Sequence, residues 1–210
     1  MQIFLFFILS LFLGSCSVPD LAEPSTFSEA EQNAIELGTL QRKFKYGMFY
    51  LYVDSDDSPF SGWVKTTNPN YQLTELGYLL DGRKEGLWIA WDENGTKQSE
   101  IYWTEDRMEG SFTVWHPNGQ IMVMGQTRDG EVDGEWTEYY SNGQLSYRST
   151  NHIGHLVGIS VWKPDGSVCQ KSTVTEGNGS FIRYLEDGRM EEKRTFLEGV
   201  ETSREIFHQW

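Results

Sequence analysis

The residues able to do chemistry are few and scattered. Four histidines occur, His116, His152, His155 and His208, and one pair, His152-x-x-His155, has the separation of two ligands to one metal. No cysteine or third histidine stands beside the pair to complete a tetrahedral set, so it predicts no metal site. Asp54-Ser55-Asp56-Asp57-Ser58 gathers oxygens that would suit calcium. The glycine and distal glutamate of an EF-hand loop are missing, which favours a polar turn. Cys169 is either a reactive thiol or a small buried residue on a strand; nothing beside it in the sequence signals a depressed pKa, which favours burial. No Ser/His/Asp arrangement, GxSxG elbow, phosphate-binding glycine loop or pair of catalytic carboxylates appears in context. Carboxylates are plentiful, but they recur with a fixed period, as loop residues do. The chain therefore reads as non-catalytic and without a cofactor.

That period comes from the elements that position everything else. GLWIAWDENG, GSFTVWHPNG and GEWTEYYSNG open at Gly86, Gly110 and Gly134, 24 residues apart, and weaker copies open at Gly62, Gly158 and Gly179. Every copy but the first ends on Asn-Gly or Asp-Gly, at Gly95, Gly119, Gly143, Gly166 and Gly188, flanked by β-branched and aromatic runs. Such turns between such runs make β-hairpins, because glycine supplies the positive φ that tight turns demand. The opening glycines sit in acidic links such as Arg128-Asp129-Gly130-Glu131-Val132-Asp133-Gly134, which read as the return loops between hairpins.

Alternation along a strand assigns faces. Trp88, Phe112, Trp136, Ile159 and Phe181 form one column; Trp91, Trp115, Tyr139, Trp162 and Tyr184, three residues further on, form another. Unless a bulge intervenes, the two columns lie on opposite faces. A lone hairpin is marginal in water, so the units lean on one another. The expected fold is all-β: an elongated, twisted antiparallel sheet of tandem hairpins of about 24 residues. Residues 47–53 read as a strand capping one open edge. At the other end Val200, Ile206, Phe207 and Trp210 read as covering the last hairpin, as a strand or as one helical turn.

These units resemble the bacterial variant of the MORN repeat, found in proteins often labelled antitoxins of the YwqK family. DGRKEGLWIAWDENGTKQ and DGEVDGEWTEYYSNGQL follow its DGkxxGxWxxyyxNGxl pattern, and SPFSGWV resembles the start of such arrays. The resemblance spans roughly residues 46–200. Asn68-Pro69-Asn70 departs from it in the first copy, and the fifth copy lacks one residue. The resemblance implies a repeat sheet with a binding role and no catalytic residues.

Composition and the N-terminus bound the setting. With 14% aromatic residues and 8 tryptophans in 210 residues, the chain can bury one core. The net charge of −14 and pI near 4.6 oppose contact with nucleic acid or anionic lipid head groups. The apolar run of residues 2–13 is too short to span a bilayer and suits a signal peptide. Leu13-Gly14-Ser15-Cys16 resembles a lipoprotein lipobox, which makes residues 1–15 a signal peptide and Cys16 a lipid-attachment site, with Ser17 resembling outer-membrane rather than inner-membrane sorting. Residues 16–45 then form a tether, with Ser28-Glu29-Ala30-Glu31 fitting the capping box of a short helix, and residues 46–210 the repeat domain. Cys169 has no disulfide partner once Cys16 is acylated.

The leading functional expectation is a non-catalytic scaffold on the bacterial envelope that binds a partner protein. In the alternative, the column of Trp91, Trp115, Tyr139, Trp162 and Tyr184 is exposed and stacks on a glycan. An antitoxin or immunity role is a special case of the first.

Overall fold

The computed structural model describes residues 18–45, 47–53 and 58–207. Cys16, Asp54, Ser55, Asp56, Asp57, His208 and Trp210 lie outside them. After α1 (Pro24–Asn33) the chain forms β1 (Ile35–Glu36), β2 (Gln41–Lys45) and β3 (Met48–Tyr52). The array follows: β4 (Gly62–Thr67), β5 (Leu73–Leu80), β6 (Arg83–Trp91), β7 (Lys97–Thr104), β8 (Arg107–Trp115), β9 (Ile121–Arg128), β10 (Glu131–Tyr139), β11 (Leu145–His152), β12 (His155–Val161), β13 (Thr173–Thr175), β14 (Asn178–Tyr184), β15 (Met190–Leu197) and β16 (Val200–Ile206). Strands β4 to β16 pair with their sequence neighbours in one antiparallel sheet, with β1 added in parallel along β4; β2 and β3 make a separate hairpin. The tandem-hairpin sheet is the architecture that the period demands.

The two kinds of turn divide the labour differently from the sequence reading. At the Asn-Gly turns only the glycine is left-handed: Gly119 has φ of 82° and donates to His116 O at 2.8 Å, closing a three-residue loop. Asparagine is there for its side chain. Asn118 Oδ1 accepts from Gln120 N at 3.1 Å, while Asn118 Nδ2 donates to Ser141 O one repeat along, at 2.6 Å. Asn142 repeats the pattern through Pro164 O. The stitch runs between hairpins rather than within one.

The return turns lie earlier than expected, and the opening glycines are not in them. Each return is two residues with both φ positive, such as Asp81-Gly82, Asp129-Gly130 and Ile153-Gly154. The opening glycine instead lies inside a strand at a bulge. Ile101 faces Phe112 and Trp103 faces Met108, so Glu109, Gly110 and Ser111 together oppose Tyr102 alone. Gly110 holds φ of 96° at that point, and the same irregularity recurs at Gly86 and Gly134. Bulges of this kind increase strand twist. The acid before the glycine has a fixed task as well: Glu109 accepts from Asp129 N at 2.6 Å, Glu85 from Glu105 N at 3.1 Å and Asp133 from Ile153 N at 3.2 Å. The recurring carboxylates cap the next repeat's turn.

A single cross-strand row runs Trp88, Ile101, Phe112, Gly125, Trp136, Ser149, Ile159, Val174 across eight strands. Directly opposed residues share a face, so the first aromatic column is one side of the sheet. Trp91 lies on the other, clustered with Leu87, Ile89 and Leu76. A bulge does precede Trp91, but the extra residue, Gln98, is on β7, and alternation from Trp88 is unbroken. Two glycines make room for the first column. A Cβ on Gly77 would meet Trp88 at 2.1 Å, and one on Gly125 would meet Phe112 at 3.0 Å.

The N-terminal segment differs from a tether. Helix α1 starts at Pro24, not at Ser28, and its cap residue Glu23 makes no side-chain capping bond. Leu21, Ala30 and Ala34 are buried against Leu76, Leu87 and Ile89, and Phe27 meets Trp91 edge-on at 6.0 Å. On the opposite face Leu37, Leu40, Leu51 and Phe60 cover Trp88, Val64 and Leu79. β3 does not cap the edge of the array, because its main chain is taken by β2 and by Gly82 and Phe60; β1 takes the edge instead. The last segment is a strand, with Val200 and Ile206 exposed and Phe207 half-buried.

Candidate binding surface

The five aromatics of the second column are the closing pairs of their hairpins: Trp91 with Lys97, Trp115 with Ile121, Tyr139 with Leu145, Trp162 with Val168 and Tyr184 with Met190. All five are half-buried. Phe27 covers part of Trp91, and lysine ammonium groups sit over two of the rings, Lys97 at 5.5 Å from Trp115 and Lys163 at 5.7 Å from Tyr184. Tyr184 Oη also lies 3.1 Å from Cys169 Sγ.

Cys169 is buried, in the loop between Val161 and β13 rather than on a strand. Burial raises the thiol pKa, but hydrogen bonds from Ser172 and Tyr184 outweigh it and hold the thiol below its ordinary range. The sequence carries no sign of this, since Tyr184 is brought in from the next hairpin. His152 and His155 flank the Ile153-Gly154 turn as an opposed pair; His152 Nδ1 lies 3.3 Å from Asp133 Oδ1. Asp133 is held below the usual carboxylate range, first by the N–H of Ile153 and then by Arg128 and His152. Among the described residues no three His, Cys, Asp or Glu side chains gather as a metal set.

The other face opens into a groove of about 450 Å³ between β10 and β16. Its floor continues the first column: Trp136, Ile159 and Phe181, joined by Tyr147 and Phe196. Phe181 stacks on Phe196 with centroids 5.7 Å apart and lies 6.1 Å from Tyr147. Beneath the far wall Glu192 is 2% exposed and accepts from Arg194 at 2.6 Å and Arg204 at 2.5 Å. Burial pushes this carboxyl up, but the two guanidiniums more than offset that and hold it below its usual range. Arg183 joins Glu138 at 2.7 Å across the repeat. At the mouth stand Asn151, His155, Val200 and Glu201. Among the described residues the Asn151 side chain bonds only Ser149 Oγ, at 2.9 Å, so it keeps donor and acceptor capacity free.

This arrangement suits binding. Its floor is apolar, and Arg194 and Glu201 in its lining are paired at 3.6 Å. The column reading located Trp136, Ile159 and Phe181. It missed Tyr147, Arg194 and Phe196 on the second strands of their hairpins and Glu201 on β16; carrying the alternation across each turn would have reached them.

Residues 84–105, 108–129 and 132–150 match the MORN repeat variant, each stretch spanning one hairpin of the sheet. No curated protein matches the chain. Among the described residues no helix is long and apolar enough to cross a membrane.

Proposed function

We propose that the protein is a non-catalytic scaffold of the cell envelope that binds a partner protein in the groove between β10 and β16. One observation carries this reading: the same face is treated in opposite ways at the two ends of the array. Around Trp88 the chain's own segments lay Leu37, Leu40, Leu51 and Phe60 on the sheet. Around Trp136 and Phe181 no helix or second sheet lies on this face among the described residues, since α1 packs on β4 and β5 and the other sheet is β2–β3; Phe181 is covered by Tyr147, Phe196 and Arg194 beside it, and Trp136 is half-buried. The covered end shows what fits this face: apolar side chains from a polypeptide. Trp136, Tyr147 and Arg194 are of the types that dominate protein interfaces.

The envelope setting rests on Leu13-Gly14-Ser15-Cys16. The second column is less suited to sugars, since Lys97 and Lys163 lie over two of its five rings. The test is affinity capture from envelope extract with the wild type and a Val200→Asp, His155→Asp double variant as parallel baits. Both side chains are exposed at the groove mouth, so the fold tolerates the change. A protein held by the wild type and lost by the variant is expected; one held equally by both refutes the groove as the site.

A further inference from the structure

The chain's negative charge conceals a local reversal. Residues 41–53 hold Arg42, Lys43 and Lys45 and no acid, in a protein with 31 acidic and 17 basic residues. These three lie on β2 of the β2–β3 hairpin, with Phe44, Met48 and Phe49, which are 61%, 49% and 48% exposed. The base of the hairpin is fixed. Tyr52 is 2% exposed, and Leu51 is tied through its main chain to Gly82 and Phe60 at 3.0 and 2.8 Å. The outer half projects with Phe44 and Phe49 paired at 4.9 Å. Arg42 sits 4.1 Å over Phe49, and Lys43 and Lys45 lie 4.8 and 5.1 Å from Tyr52. None of the three cations pairs with a carboxylate among the described residues.

We propose that the end of the β2–β3 hairpin is a seat for an anionic lipid surface, with Phe44, Met48 and Phe49 entering the interface and Arg42, Lys43 and Lys45 meeting the head groups. Whole-chain charge argues against such contact only if the whole chain must approach. A flat bilayer meets a projecting tip first, and charges more than about 10 Å away are largely screened. Three exposed apolar side chains fall far short of the roughly 800 Å² per partner that a stable protein interface takes. A bilayer interface accepts apolar side chains without matching their shape, and basic residues beside them add attraction to anionic lipid. Nucleic acid is disfavoured, because an extended polyanion would run along the acidic array.

The seat is tested by co-sedimentation of the chain from Ser17 onward, which keeps every described residue and leaves out Cys16. The probes are phosphatidylcholine vesicles with and without phosphatidylglycerol. Binding is expected only with the anionic lipid, weakened by salt. The triple variant Arg42→Gln, Lys43→Gln, Lys45→Gln is expected to bind on the order of a hundredfold less. Phe44→Ser with Phe49→Ser is expected to lose binding too, both variants melting with the wild type because the changed side chains are exposed or, for Lys43, half-exposed. Equal sedimentation of wild type and triple variant, or none with any vesicle, overturns the proposal. Loss of a captured protein on the same substitutions, without vesicle binding, overturns it in favour of a protein contact. Val200→Asp leaves vesicle binding unchanged, so this seat and the groove fail separately.

Discussion

Gly77→Ala tests the packing of the first column at its tightest point. Gly77 has no positive φ, so alanine brings no backbone strain and the whole effect is contact. The new Cβ would lie 2.1, 2.3 and 2.6 Å from Trp88 Cδ2, Cε2 and Cγ, inside a rigid indole that is itself 3% exposed. The ring cannot tip away freely, because its Nε1 donates to Tyr78 O at 3.1 Å and Leu79 and Val64 pack beside it. Overpacking a closed site costs about 1–3 kcal/mol, and losing the indole bond adds about 1 kcal/mol. The sum, about 2–4 kcal/mol, corresponds to a fall in Tm of roughly 5–15 °C for a chain of this size. The assay is thermal unfolding followed by circular dichroism. Adding Trp88→Val to Gly77→Ala removes the clashing ring, so the double variant is expected to lose less than the sum of the two single changes. A Gly77→Ala protein melting within about 1 °C of wild type would show that Trp88 does not lie on Gly77, and the face assignment would fail with it.

Tyr71 occupies the glycine position of the first turn, with φ of 61° and 90% exposure. Tyr71→Gly is therefore expected to stabilise by about 1 kcal/mol, seen as a higher Tm. Glu109→Ala removes the acceptor of Asp129 N and is expected to cost about 1 kcal/mol, whereas Glu109→Gln, which keeps an acceptor, costs less. Glu192 is held below the usual carboxylate range when folded, so its pairing with Arg194 and Arg204 contributes stability above the ordinary carboxylate pKa and loses it as pH falls through the folded pKa. The difference in Tm between wild type and Glu192→Gln is accordingly expected to be largest near neutrality and to shrink in acid.

What the sequence made legible was whatever repeats. The hairpin period, the two columns and their opposite faces follow from aromatic and Asn-Gly spacing alone, because strand alternation is a local rule. The return turns were misplaced because Glu105-Asp106 and Ile153-Gly154 put residues other than glycine at positive φ, while the visible glycines Gly110 and Gly134 mark bulges inside strands. Residues 18–45 carry no strand pattern, and their place is set by tertiary burial of Leu21, Ala30 and Leu37 on a sheet built later in the chain. The basic hairpin disappeared into a net charge of −14, since a sum has no positions. The groove was half visible: Trp136 and Phe181 belong to a column, but that this column is covered at one end and open at the other is a long-range fact.

That contrast between a covered and an open end is the central claim, and site-specific photo-crosslinking in intact cells tests it most directly. A benzophenone side chain would be placed at Val200, at the mouth of the groove, and in a second strain at Tyr71, which is exposed on the first turn beside the covered end. The account predicts a discrete adduct with another protein from position 200 and none from position 71. Adducts from both positions alike, or from position 71 alone, would contradict it.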